Sequence, residues 1–157
     1  MTHDTPRIPI INLRKNLIVS LQGSPTDGMV AQLQTDLGAR IQEANPKGLV
    51  LDVSGMGILD SYVSKALRDL AVMSRLMGVH AVICGMHPLM ALTLVEMGLR
   101  LDDVPHKMNL EQALDYLAEL EQSRLAHDLV ELEDTLEDAS AAPGEPEARP
   151  EDTPARS

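Results

Sequence analysis

Phenylalanine and tryptophan are absent from this 157-residue chain, and tyrosine occurs only at Tyr62 and Tyr116. With 44% of residues hydrophobic, a core has to be filled by Leu, Val, Ile, Met and Ala. That filling suits layered helices and strands better than an aromatic-lined ligand pocket. The same absence removes the stacking platforms that hold unpaired bases. Clustered cations are missing too: residues 1 to 118 carry 10 Lys and Arg against 12 Asp and Glu, and residues 119 to 157 carry 3 against 12. The net charge of −11 therefore divides into −2 for the body and −9 for the tail. Phosphate-backbone binding relies on grouped Lys and Arg, so nucleic acid is not an expected partner.

The single cysteine, Cys84, excludes an intrachain disulfide, and the start Met-Thr-His-Asp-Thr-Pro-Arg has no apolar signal-peptide core. Both point to a reducing cytoplasm. No apolar run reaches the roughly 18 residues that cross a bilayer, so no membrane segment is expected. His3, His80, His87, His106 and His127 lack metal-ligand spacing, and no metal or other cofactor is assigned. The length suits one ordinary domain with an appendage.

What is present is an alternation of short β-rich runs with helical patterns. Ile8 to Leu13 and Leu17 to Leu21 flank Arg14-Lys15-Asn16 and read as an antiparallel hairpin. Met29, Val30, Leu33, Leu37 and Ile41 recur at helical steps and stop near Asn45-Pro46. Gly48 to Val53 reads as a strand covered on both faces. A second helix carries Val63, Ala66, Leu67, Leu70, Val72, Met73 and Leu76 and ends at Gly78. Val79 to Cys84 is the next strand, and His87-Pro88 opens a helix whose apolar positions are Leu89, Leu92, Val95 and Met97. Leu99 to Val104 reads as a short edge strand, and Asn109 caps a last helix through Leu110, Ala113, Leu114 and Leu117. The expected fold is α/β, a four- to five-stranded mixed sheet with an N-terminal hairpin and about four helices. Residues 119–138 suit an acidic helical extension, with Leu125, Leu129, Leu132 and Leu136 as a dimer seam. Residues 139–157 have no apolar material to bury and read as a disordered Pro-rich tail.

The candidate site is the loop and helix start around Asp60-Ser61-Tyr62. A helix N-terminus offers unpaired N–H donors and positive dipole charge, so a phosphate on Ser61 is tolerated there while it transforms the surface charge. Asp60 and Ser61 also read as an ordinary N-cap and first-turn residue. Met56 and Ile58 are expected to be exposed in the preceding loop, giving a partner-binding set of Met56, Ile58, Asp60, Ser61 and Tyr62. Methionines elsewhere are expected mostly in the core. An enzymatic alternative rests on Gly55-Met56-Gly57, which begins like a dinucleotide loop but lacks the third glycine and sets Asp60 where phosphate attraction is needed. Asp52 reads as structural and no serine sits in a Gly-x-Ser-x-Gly elbow, so no catalytic residue is assigned.

Asp60-Ser61-Tyr62-Val63-Ser64-Lys65-Ala66-Leu67, Met73-Ser74-Arg75-Leu76-Met77-Gly78, Gly85-Met86-His87-Pro88 and Thr93-Leu94-Val95-Glu96-Met97-Gly98 together resemble the STAS domain of anti-sigma-factor antagonists. The likeness spans roughly residues 7–118 and favours the RsbS type of the bacterial stressosome. Simpler antagonists have Asp-Ser-Ser-Gly where this chain has Asp60-Ser61-Tyr62-Val63. The resemblance implies phosphorylation at Ser61, with Thr93 in the place of a second phosphorylated residue. It implies as partners an RsbT-like switch serine/threonine kinase, RsbR-like STAS paralogues in a large assembly of dimers or higher oligomers, and a phosphatase acting on Ser61. A direct antagonist of an anti-sigma factor and a small nucleotide-binding α/β domain are the alternatives.

Overall fold

The computed structural model describes residues 6–141, 144 and 155. Two short strands open the chain, the first largely exposed and the second largely buried. β1 (Ile10–Leu13) and β2 (Asn16–Gly23) pair antiparallel through a two-residue turn in which Arg14 and Lys15 both have positive φ. That turn geometry matches the twist of the flanking strands. α1 (Asp27–Ala44) is capped by Thr26, whose side chain accepts from Met29 N, and ends on Asn45 in the left-handed conformation. It buries Val30, Leu33, Leu37 and Ile41, the spacing read from the sequence.

β3 (Gly48–Met56), α2 (Ser61–Leu76), β4 (His80–Cys84), α3 (Pro88–Glu96) and β5 (His106–Lys107) complete the sheet. Its order is β1-β2-β3-β4-β5, parallel throughout except for the β1–β2 pair. Period two along the strands assigns the two faces. Leu17, Val19 and Leu21 of β2, Leu49, Leu51 and Val53 of β3, and Ala81 and Ile83 of β4 pack with α1, α2 and α3. Ile18, Val50, Val82 and Cys84 face the other way, against Ala113 and Leu117 of α4 (Leu110–Ser140).

The structure corrects four details. Val72 and Leu76 are 44% and 83% exposed, because the buried stripe of α2 is completed by Ser64, Ala71 and Ser74 instead. In α3 the expected face is reversed: Leu89, Leu92, Val95 and Met97 are exposed, and Met90 and Leu94 are buried. The helix is apolar nearly all round, so its own pattern does not select the side that meets the sheet. The edge strand expected at Leu99 to Val104 is irregular chain with Leu101 and Val104 buried, and β5 forms two residues later. Burial of two apolar anchors mimics the alternation of a strand. Methionine burial also divides: Met56 and Met90 are in the core, Met73 and Met86 pack partly against it, and Met77 and Met97 are exposed.

The chain divides into two compact units, residues 1–121 and 122–157. In the second, Leu125, Leu129, Leu132 and Leu136 lie exposed along α4. Ala139 and Ser140 close that helix, and of the tail read from 139 onward, all but 139–141, 144 and 155 lies outside the described residues. No helix among the described residues is long and apolar enough to cross a membrane.

The reassigned face of α2 gives a stability contrast. Leu67→Ala removes a side chain 1% exposed and is expected to cost about 2–5 kcal/mol, whereas Leu76→Ala should stay within about 0.5 kcal/mol. Urea unfolding of the two variants measures both.

Candidate functional site

The parallel strands β3 and β4 end on one edge of the sheet, where crevices form in open α/β folds. There Asp52 accepts from the Ser54 N–H at 2.9 Å, and His87 Nε2 lies 3.1 Å from Ser54 O. Gly85 has φ +79°, and a Cβ added to it would lie 2.6 Å from Ser54 Cβ. Only glycine fits that approach. The C-terminal part of β3 and the β4–α3 connection are thereby locked side by side, with Asp52 engaged in the lock.

Asp60 is the N-cap of α2: its backbone is extended and its carboxylate accepts from Val63 N at 2.8 Å. Ser64 Oγ donates to Asp60 O at 2.7 Å. This double tie sets Ser61 as the first helical residue, with its side chain exposed. Ile58 is 70% exposed and Tyr62 42% exposed, and the Tyr62 hydroxyl donates to Asp27 O at the start of α1. Ile58, Asp60, Ser61 and Tyr62 thus form one exposed turn. Met56 does not join them. It is 3% exposed because β3 continues past Val53 and pairs Gly23 with Met56, drawing that side chain into the core.

Thr93 lies on α3, partly buried, and its hydroxyl donates to Leu89 O at 2.8 Å. It is not among the residues lining the cleft at Ser61. That cleft, of about 650 Å³, is lined by Ser61, Tyr62, Lys65, Arg68 and Arg100 among others. Lys65 pairs with Asp69 at 2.8 Å and Arg68 with Asp103 at 3.2 Å. The three cations are absent from the sequence-derived site. Lys65 and Arg68 stand four and seven residues after Ser61, a helical spacing that is readable in advance; Arg100 arrives through the tertiary fold alone.

Cys84 is buried against α4, and its thiol is pushed up to about 12, by burial first and then by the charge and hydrogen bond of Asp52. A thiol held this firmly in its protonated form is no nucleophile. Burial likewise lowers the imidazole of His106.

Residues 5–113 match the STAS domain family. The structure is similar to that of a Moorella thermoacetica RsbS carrying a serine-to-glutamate substitution, with 31% identity, a TM-score of 0.66 and coverage of 73% of this chain and 97% of that one. A chain from the molecular architecture of the stressosome, a signal integration and transduction hub, is 31% identical with a TM-score of 0.62, covering 71% and 97%. The Bacillus subtilis RsbT co-antagonist protein RsbRB is 34% identical over 68 residues, 43% of this chain and 24% of that protein. This chain therefore spans about a quarter of that relative's length.

Two outcomes test the local chemistry. Asp60→Ala removes the cap of α2 and should lower stability by about 1 kcal/mol in urea unfolding, without loss of the fold. Cys84 should resist a thiol reagent at pH 8 until denaturant is added. Its folded value lies above the ordinary 9.0, so stability holds below about pH 9 and falls as pH rises toward 12, where the unfolded thiol ionises first. Cys84→Ala should flatten that decline.

Proposed function

Because this chain belongs to the STAS domain family, with an RsbS and a stressosome chain among its structural neighbours, we propose that it is a phosphorylation-switched interaction module. In this reading it is an RsbS-like antagonist and scaffold subunit. It assembles with STAS-bearing paralogues and retains a serine/threonine kinase until Ser61 is phosphorylated, and a phosphatase resets it. The observation that carries the reading is the placement of Ser61, exposed at the first position of α2 between exposed Ile58 and Tyr62 and beside the Asp60 cap. A related RsbS has been given glutamate in place of a serine, a substitution that adds negative charge in the manner of a phosphate.

The chemistry asks little of this chain. Ser61 Oγ forms a bond to the γ-phosphorus of kinase-bound ATP as the bond to ADP breaks, and the hydroxyl proton passes to a base of the kinase. The product brings about −1.5 to −2 of charge and three acceptor oxygens onto a surface whose apolar contacts are Ile58 and Tyr62. An apolar or anionic partner face then meets repulsion and desolvation cost, while the capped helix remains. Binding changes more than folding. Thr93 is a second acceptor in this reading, available once its hydroxyl turns away from Leu89 O.

The test uses the full chain as bait in extracts of its own cells, as Ser61→Ala and as Ser61→Asp, with captured proteins identified by mass spectrometry. The Ser61→Ala chain should retain a serine/threonine kinase and STAS paralogues, and the Ser61→Asp chain should retain the kinase at least about tenfold less, with both melting alike. Equal capture of the kinase by both, capture of an anti-sigma factor instead, or absence of phosphate on Ser61 after incubation with the kinase and ATP would each defeat the reading. ATP titrated onto the chain alone should give no binding; saturable binding would favour a nucleotide-binding domain.

A further inference from the structure

We propose that the cleft beside Ser61 is a phosphate receiver acting within the chain: a phosphate carried on Ser61 is held by Lys65, Arg68 and Arg100. The inference rests on Ser61 being the modified residue and adds what becomes of the modification. Its basis is the make-up of the cleft wall. Lys65, Arg68 and Arg100 contribute three cations and no carboxylate lines the cavity, in a chain where Asp and Glu outnumber Lys and Arg by 24 to 13. Two other depressions among the described residues each contain a carboxylate, Asp103 in one and Asp102 in the other.

The geometry converges on the serine. Ser61, Lys65 and Arg68 follow at steps of four and three along α2, which puts them on one face. In the unmodified chain the Lys65 ammonium turns to Asp69, one helical turn further on, and Arg68 to Asp103; a phosphate on Ser61 draws them back toward the N-terminus, the direction in which long helical side chains lean. Arg100 stands in the segment between α3 and β5 and completes the lining. In these two ion pairs the cationic side chains are 75% and 50% exposed. Ion pairs at such exposure are weak. A phosphate approaching two negative charges competes well against a single carboxylate, and guanidinium groups bind its oxygens in pairs. Capture in the cleft leaves the backbone of α2 in place and withdraws three cations from the exposed face.

Phosphoserine installed at position 61 during translation, without any kinase, tests this in the full chain by ³¹P NMR titration. The second ionisation of the phosphate should fall at least about half a pH unit below its ordinary value near 6, and should return to it when Lys65→Gln, Arg68→Gln and Arg100→Gln are combined. Arg100→Lys, which keeps the charge, should preserve the shift. A broad-specificity phosphatase should release the phosphate several-fold faster from the triple variant, with circular dichroism confirming that each variant is folded. An ordinary ionisation in the unaltered chain, or one that the triple variant does not move, overturns the receiver. So does inorganic phosphate saturating the cleft of the unmodified chain while phosphoserine titrates normally, since the cleft would then serve a separate anion. A lowered ionisation together with no transfer from the kinase sinks the switch and leaves the receiver standing; transfer with ordinary ionisation does the reverse.

Discussion

Burial of β3 on both faces is the constraint from which the rest follows. Leu49, Leu51 and Val53 pack under the helical layer of α1 to α3, and Val50 packs against the start of α4. A strand enclosed in this way cannot slip by one residue without sending its whole apolar set to the wrong layer. Its end is therefore a fixed point, paired with β2 through Met56. Asp52 and Ser54 of β3 are clamped to Gly85 and His87 of the β4–α3 connection. Asp60 then starts α2 at a defined place, and Ser61 is presented to solvent by a rigid scaffold.

The site built on that scaffold divides its work between exposure and charge. Ile58 and Tyr62 are exposed apolar surface, and in the proposed function a phosphate added to Ser61 changes the sign of the contact a partner makes there. Nothing in the capped turn has to unfold for this to happen, because Asp60 satisfies Val63 N with a carboxylate separate from the serine. Lys65, Arg68 and Arg100 line the adjoining cleft, in a body whose charge is only −2; in the proposed receiver those three cations answer the added phosphate.

Much of this was legible from the order of residues because the signals are local. The stop near Asn45-Pro46, the stop at Gly78, the caps at Asp60 and Asn109 and the spacing along α1 all depend on neighbours within one turn. The failures lie where a segment carries apolar residues on more than one side. The side of α3 that meets the sheet, the irregular path of Leu99 to Val104 and the burial of Met56 were all decided by what those residues met from distant parts of the chain.

The primary structure alone determined the alternation of strands and helices, the two-sided burial of the central strands and the hydroxyl at the opening of α2, since each follows from short-range periodicity and capping chemistry. The tertiary structure alone decided that Arg100 joins Lys65 and Arg68 around one cleft and that Met56 turns into the core. Those outcomes depend on long-range packing and strand register, which bring together groups that no local spacing relates.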